Sequence, residues 1–90
     1  MSMAKISLMG RVGSVKEKGE KINFSVAHNE SKDKTTWYQC FLSKKQTEIF
    51  KDFISKGDLI YIEGKLTALD ENGTNLVVFP NEIMPVLWKR

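Results

Sequence analysis

Ninety residues with 41% hydrophobic and 10% aromatic content suffice for one modest core and leave no room for a second, so a single domain over residues 1–90 is expected. Fourteen Lys and Arg against eleven Asp and Glu give a formal charge of +3 and a pI near 9.1, which suits an anionic partner yet also fits an ordinary solvated surface. The lone cysteine, Cys40, excludes an intrachain disulfide framework and a multi-cysteine zinc site, and the start of the chain lacks the apolar run of a signal peptide or membrane span, so a cytoplasmic protein with no membrane partner is expected.

Lys5 to Val15 alternates in part, with Ile6, Leu8, Gly10 and Val12 on one parity, and Gly10 and Gly13 predict that this first strand is bent or bulged. Lys16 to Glu20 has turn composition and leads into a second strand whose Ile22, Phe24, Val26 and His28 share a face, a hairpin pattern. Asn29 to Lys34 is polar throughout. Thr36, Tyr38, Cys40 and Leu42 then alternate with Trp37, Gln39 and Phe41, a third strand with large side chains on both faces. Ser43-Lys44-Lys45-Gln46 reads as a capping box, Ile49, Phe50, Phe53 and Ile54 as a helical stripe, and Gly57 as the stop, which predicts a helix near residues 44–56. Leu59 to Leu66 predicts a fourth strand with Ile60, Ile62 and Leu66 inward and Tyr61, Glu63 and Lys65 outward. A hairpin turn at Asp70 to Gly73 leads to a fifth strand, Leu76 to Phe79, which Pro80 stops or pushes to an edge.

With its one helix between strands three and four, the chain lacks the alternation of a doubly wound parallel sheet; an all-β fold, a five-stranded Greek-key OB barrel, is expected. In that architecture the face around strands two and three, with the loops joining strands one to two and four to five, is where oligonucleotides or oligosaccharides bind.

Four segments, in order, resemble the bacterial-type single-stranded DNA-binding proteins from about Ala4 to Leu87. Lys5 to Gly13 is similar to that family's opening strand and Asn23 to Asn29 to its second; Thr36-Trp37-Tyr38-Gln39-Cys40 resembles its third-strand motif around a DNA-stacking tryptophan, and Lys56 to Leu66 its fourth-strand signature. There are departures. Lys32 and Leu69 stand where relatives carry further stacking aromatics, and Ser43 where they often place a phenylalanine that Phe41 could replace in part. The chain ends at Lys89-Arg90 without the glycine-rich tail and acidic tip through which the family recruits partners, a short form by this reading. The resemblance also implies a homo-oligomer, tetramer or dimer, for which strand one and the Val86 to Trp88 run are candidate contacts.

Trp37, Gln39 and Phe41 lie on the strand face opposite Cys40, so one set is core and the other needs another explanation: a base-stacking platform, an oligomer interface or a second core layer. Tyr61 could extend the platform, while Trp88 reads as closing the barrel or burying a subunit contact. Arg11, Lys16, Lys18, Lys21, Lys32, Lys34 and Lys65 flank the expected groove, and Arg11, Lys32 and Lys34 are the group expected to follow phosphates; Lys44, Lys45, Lys51 and Lys56 belong to the helix and to water. Enzymatic readings have little support. His28 is alone, Cys40 alternates inward, no phosphate loop occurs, and no cofactor is required. The sequence therefore predicts a protein that binds single-stranded DNA with little sequence preference in replication, recombination or repair. The rival readings are a tail-less primosome-type accessory that also binds a replication protein, and a protein-interaction OB domain.

Overall fold

The structure is a computed structural model that describes residues 4–68 and 75–86. Among those residues, β1 (Ala4–Lys18), β2 (Lys21–Ser31), β3 (Lys34–Phe41), β4 (Leu59–Ala68) and β5 (Leu76–Pro85) close into a barrel in the order β1-β2-β3-β5-β4, the expected OB architecture. The first strand closes the ring by serving two neighbours. Ala4 to Arg11 pairs with β4, Arg11 to Lys18 pairs with β2, and the β1–β2 register shifts between Val12 and Ser14, around Gly13. The predicted bend is thus a bulge, the device that lets a strand twist from one partner to the next. The β1–β2 hairpin turns at Gly19-Glu20, where Gly19 has φ +62°, a value that suits glycine in the first central position of a tight hairpin.

Alternation decides what goes inside. Leu8, Val12, Phe24, Val26, Cys40, Ile60, Ile62, Val78 and Ile83 are buried, with Phe50 and Ile54 covering one end of the barrel. Three expectations need correction. The polar stretch Asn29 to Lys34 is mostly strand, since β2 and β3 pair out to Ser31 and Lys34 and only Lys32-Asp33 forms the turn. The helix is shorter than 44–56: α1 spans Lys44–Phe50 and tightens into a 3₁₀ turn over Lys51–Phe53. Only Thr47 and Phe50 of α1 are buried and Ile54 follows from extended backbone, whereas Ile49 and Phe53 are exposed, so the predicted four-residue stripe is split. Two turns suffice to cover the barrel end, and the tighter winding beyond Phe50 turns Phe53 outward. Gly57 has a positive φ of 92°, but in the turn before β4.

The third correction concerns Pro80, which does not stop β5. The β4–β5 register passes from Glu63 opposite Glu82 to Gly64 opposite Pro80, so Asn81 is the extra residue of a bulge. A residue without an N–H is tolerated where the ladder is already interrupted, and the pairing of β5 with β3 is confined to Val77 and Val78. Leu69, the turn at Asp70 to Gly73, and Trp88 lie outside the described residues.

The helix is anchored as the sequence predicts. The Ser43 hydroxyl accepts the Gln46 N–H at 3.2 Å, the Ser43 N–H donates to Gln46 Oε1 at 3.0 Å, and Gln46 Nε2 reaches the Pro80 carbonyl at 2.8 Å. Inside, Thr47 Oγ1 accepts the buried Ile22 N–H at 3.0 Å.

Candidate nucleic-acid interface

Trp37, Gln39 and Phe41 point out of the barrel because Cys40 points in, and the two rings are 52% and 39% exposed. The indole is not adrift on the surface. Ser14 and Ser25 clasp one another beneath it, hydroxyl to hydroxyl at 3.0 Å, and Gly13 leaves space for the ring, since a Cβ there would lie 2.5 Å from Trp37 Cζ3. A bulge glycine on β1 thus lets a tryptophan of β3 reach across β2, presenting one face of the indole to solvent.

A concavity of about 340 Å³ runs beside these rings, bordered by Trp37, Gln39, Phe41, Asn23, Lys16 and Lys18. It continues past Phe41 into a second one of about 540 Å³, where Phe79, Lys21 and Lys65 join Lys18 and Asn23. Phe41 and Phe79 meet edge to face, with ring centroids 6.2 Å apart and planes at 77°. Among the described residues the ion pairs are Lys34 with Glu30 and Lys44 with Glu20, so Lys16, Lys18 and Lys65 stand beside the aromatic track outside any ion pair, as does Lys21, which also borders an acidic cleft. A polyanion with flat, stackable groups matches such a surface.

The cleft under the β1–β2 hairpin, of about 500 Å³, has the opposite character. Glu17, Glu20, Glu48 and Asp52 outnumber Lys21 and Lys51 along its walls, which disfavours phosphate there.

The other expected residues lie apart from the aromatic track. Arg11 stands in register with Ala27, itself opposite Trp37, which sets it two strand spacings away, roughly 10 Å. Its Nη1 donates to the Gly57 carbonyl at 3.0 Å. Lys32 sits in the β2–β3 turn, and Lys34 beside it is 3.7 Å from Glu30. The Thr36 hydroxyl also donates to Glu30, and together with Lys34 it holds that carboxyl below its ordinary pKa, so a local negative charge offsets Lys34. Tyr61 belongs to another surface: it is half-buried between Met9 of β1 and Met84 of β5, with its hydroxyl on Glu63 at 2.6 Å. Cys40 is buried, and desolvation pushes its thiol up to about 12, which removes it as a nucleophile at neutral pH. His28 Nδ1 lies 2.9 Å from the Met9 carbonyl at the barrel rim.

Sequence reasoning missed Phe79, whose apolar run from Leu76 shows no alternation. No local signal places it: only the β4–β5 register, which sets Phe79 opposite the outward Lys65, puts the ring on this face, since cross-strand partners share a face.

Known proteins resemble this chain in sequence and in fold. The sequence profile of the single-strand binding protein family matches residues 3–77. Single-stranded DNA-binding proteins of Neisseria meningitidis serogroups A and B are each 32% identical over 87 residues, covering 81% of this chain and 50% of theirs, so the chain spans about half the length of these relatives. Among solved structures, the mitochondrial single-stranded DNA-binding protein Rim1 of S. cerevisiae superposes with a TM-score of 0.73 at 26% identity, over 96% of this chain and 97% of that one. The small single-stranded DNA-binding protein of Streptomyces coelicolor, at 14% identity and a TM-score of 0.75 over 97% and 96% of the two chains, shares the fold.

Proposed function

The chain belongs to the single-strand binding protein family, and from that premise we propose that it binds single-stranded DNA with little sequence preference and without catalysis, in replication, recombination or repair. The observation that carries the reading is the coincidence of outward rings with lysines outside any ion pair along one side of the barrel. Trp37 and Phe41 are four residues apart on β3, roughly 13 Å, too far to sandwich one base, so each takes its own. Stacking contributes about 1–3 kcal/mol per base and tolerates any sequence, because every base has a π face. Gln39, between the rings, offers both donor and acceptor to a base edge. Lys16, Lys18, Lys21 and Lys65 take the phosphates nearest the rings. Arg11, Lys32 and Lys34 act where the strand leaves the groove, across β1 or along the β2–β3 hairpin. No cofactor takes part.

The row formed by Met9, Tyr61 and Met84 supports a separate role for the opposite side of the barrel. Both methionines are 47% exposed, and the three side chains are adjacent across β1, β4 and β5. This face is assigned to contact between copies of the chain in a homo-oligomer, dimer or tetramer, with Tyr61 buried there instead of stacking on DNA. Replication proteins are further partners of the assembly in the cytoplasm. Among the described residues no helix is long and apolar enough to cross a membrane.

Titration with oligo-dT while following tryptophan emission tests the central reading: quenching is expected, with an affinity that falls steeply as salt rises. Trp37→Ala binding as tightly as the parent would remove the stacking role. A chain that binds no oligo-dT at all would turn the aromatic face into a protein interface.

A further inference from the structure

Phe41 and Phe79 meet edge to face where the backbone ladder beneath them runs out. β3 and β5 pair at Gln39 with Val77 and at Cys40 with Val78, and the ladder stops one residue before each ring. Beyond Phe79 comes Pro80, which has no N–H with which to extend a ladder, and then the bulge at Asn81 interrupts the pairing with β4. One side chain bridges this gap. Gln46 of α1 is half-buried and lines the cavity beside both rings. Its Oε1 accepts the Ser43 N–H at 3.0 Å, and its Nε2 donates to the Pro80 carbonyl at 2.8 Å. Ser43 is two residues past Phe41, and Pro80 is one residue past Phe79. The carboxamide therefore joins the two backbones just beyond the rings, as a ladder rung would, with the phenyl planes at 77° and their centroids 6.2 Å apart. A capping box works with either Glu or Gln at this position, but only Gln carries an N–H. Here that N–H reaches across the fold to a residue 34 positions away in the chain, which capping the helix does not require.

We propose that Gln46 is a positioning residue for DNA binding: its carboxamide fixes Ser43 against Pro80, which sets Phe79 against Phe41 and holds the Phe41 ring at the angle on which a base stacks. This rests on the reading that a base stacks on Phe41. Gln46 itself does not touch the base, because its oxygen and its nitrogen each have a partner within the fold. Its influence passes through the two rings. A phenyl ring at the end of a strand is free to turn about its side-chain torsions, and a base that binds it must first stop that motion; the second ring stops it in advance.

The test uses Gln46→Glu, which keeps an oxygen for the Ser43 N–H and removes the donor to Pro80. The full chain, Gln46→Glu, Phe41→Leu and the double variant are titrated with oligo-dT and with an abasic oligomer of the same length at one salt concentration. The abasic oligomer reads the effect of the added negative charge on the phosphates, so the ratio of the two affinities isolates what the bases contribute. That ratio is expected to fall about threefold or more in Gln46→Glu, and to fall no further when Gln46→Glu is added to Phe41→Leu. Gln46→Met adds no charge and is expected to lower the ratio equally, which keeps the test open should Gln46→Glu fail to fold. In either variant the ring-proton resonances of Phe41 and Phe79, which their edge-to-face contact sets, are expected to move. If the variants keep the parental ratio, or lose both oligomers in equal proportion, the positioning role is overturned while a low ratio in Phe41→Leu leaves the stacking reading standing. If the two substitutions lower the ratio additively, Gln46 does not act through Phe41 and the proposal is likewise overturned. If Phe41→Leu keeps the parental ratio, the stacking reading itself falls and the proposal falls with it.

Discussion

Replacing Gly13 with alanine perturbs the stacking platform without replacing any residue assigned to DNA. The new Cβ would lie 2.5 Å from Trp37 Cζ3, 2.9 Å from Cη2 and 3.0 Å from the Ser25 hydroxyl. Carbon atoms rest about 3.5–4.0 Å apart, so something must retreat by about 1.0–1.5 Å. Ser25 is buried and bonded to both the N–H and the hydroxyl of Ser14, whereas the indole is half exposed on a rotatable side chain; the ring moves. Holding it off its rotamer costs about 0.5–1.5 kcal/mol, and the reduced freedom of the unfolded chain returns about 0.4–1 kcal/mol, so stability changes by less than about 1 kcal/mol. A gap of about 1 Å forfeits about half of a dispersion contact, and applied to a stack of about 1–3 kcal/mol this gives a loss of about 0.5–1.5 kcal/mol. Binding of oligo-dT is therefore expected to weaken about 2- to 12-fold, with Trp37→Ala setting the ceiling. The assay is a fluorescence titration beside a thermal melt. If Gly13→Ala binds like the parent with unshifted Trp37 emission, while Trp37→Ala binds weakly, the proposed dependence of the platform on the bulge is refuted.

Salt dependence reports the lysines: the four phosphate contacts nearest the rings contribute roughly −3 to the slope of log affinity against log salt, and the double variant Lys18→Ala, Lys65→Ala reduces the slope by about 1.4. An unaltered slope would remove those two from the phosphate path. Thr47→Val strands the buried Ile22 N–H and is expected to cost about 1–3 kcal/mol, a melting drop of about 4–8 °C per kcal/mol, which Thr47→Ser avoids. Cys40 at pH 8 should react with thiol reagents only as fast as the chain unfolds; faster labelling would contradict its burial. Its thiol is raised from 9.0 to about 12 in the fold, so the stability it contributes is complete below pH 9 and is lost as pH rises toward about 12, a trend that Cys40→Ala should lessen in alkaline denaturation.

Period-two alternation in β2, β3 and β4 is local, and it fixed which side chains face the core, including the outward position of Trp37 and Phe41. The capping box of Ser43 and Gln46 is equally local, a contact between neighbours in the chain. By the same logic the run from Leu76 to Phe79 was silent, since four consecutive apolar residues point nowhere by themselves and Pro80 argued for an ending that the bulge at Asn81 prevents.

Sequence by itself therefore determined the strands, their inward faces and the family motif, because those depend on repeats and turns within a few residues. Which cations accompany the rings was decided only by closure. Lys32 and Lys34 are near Trp37 in the chain but sit at the hairpin end, whereas Lys18, Lys21 and Lys65 come from distant segments and converge on Phe41 and Phe79. Strand order and register create that convergence, and neither is written in any local stretch of residues.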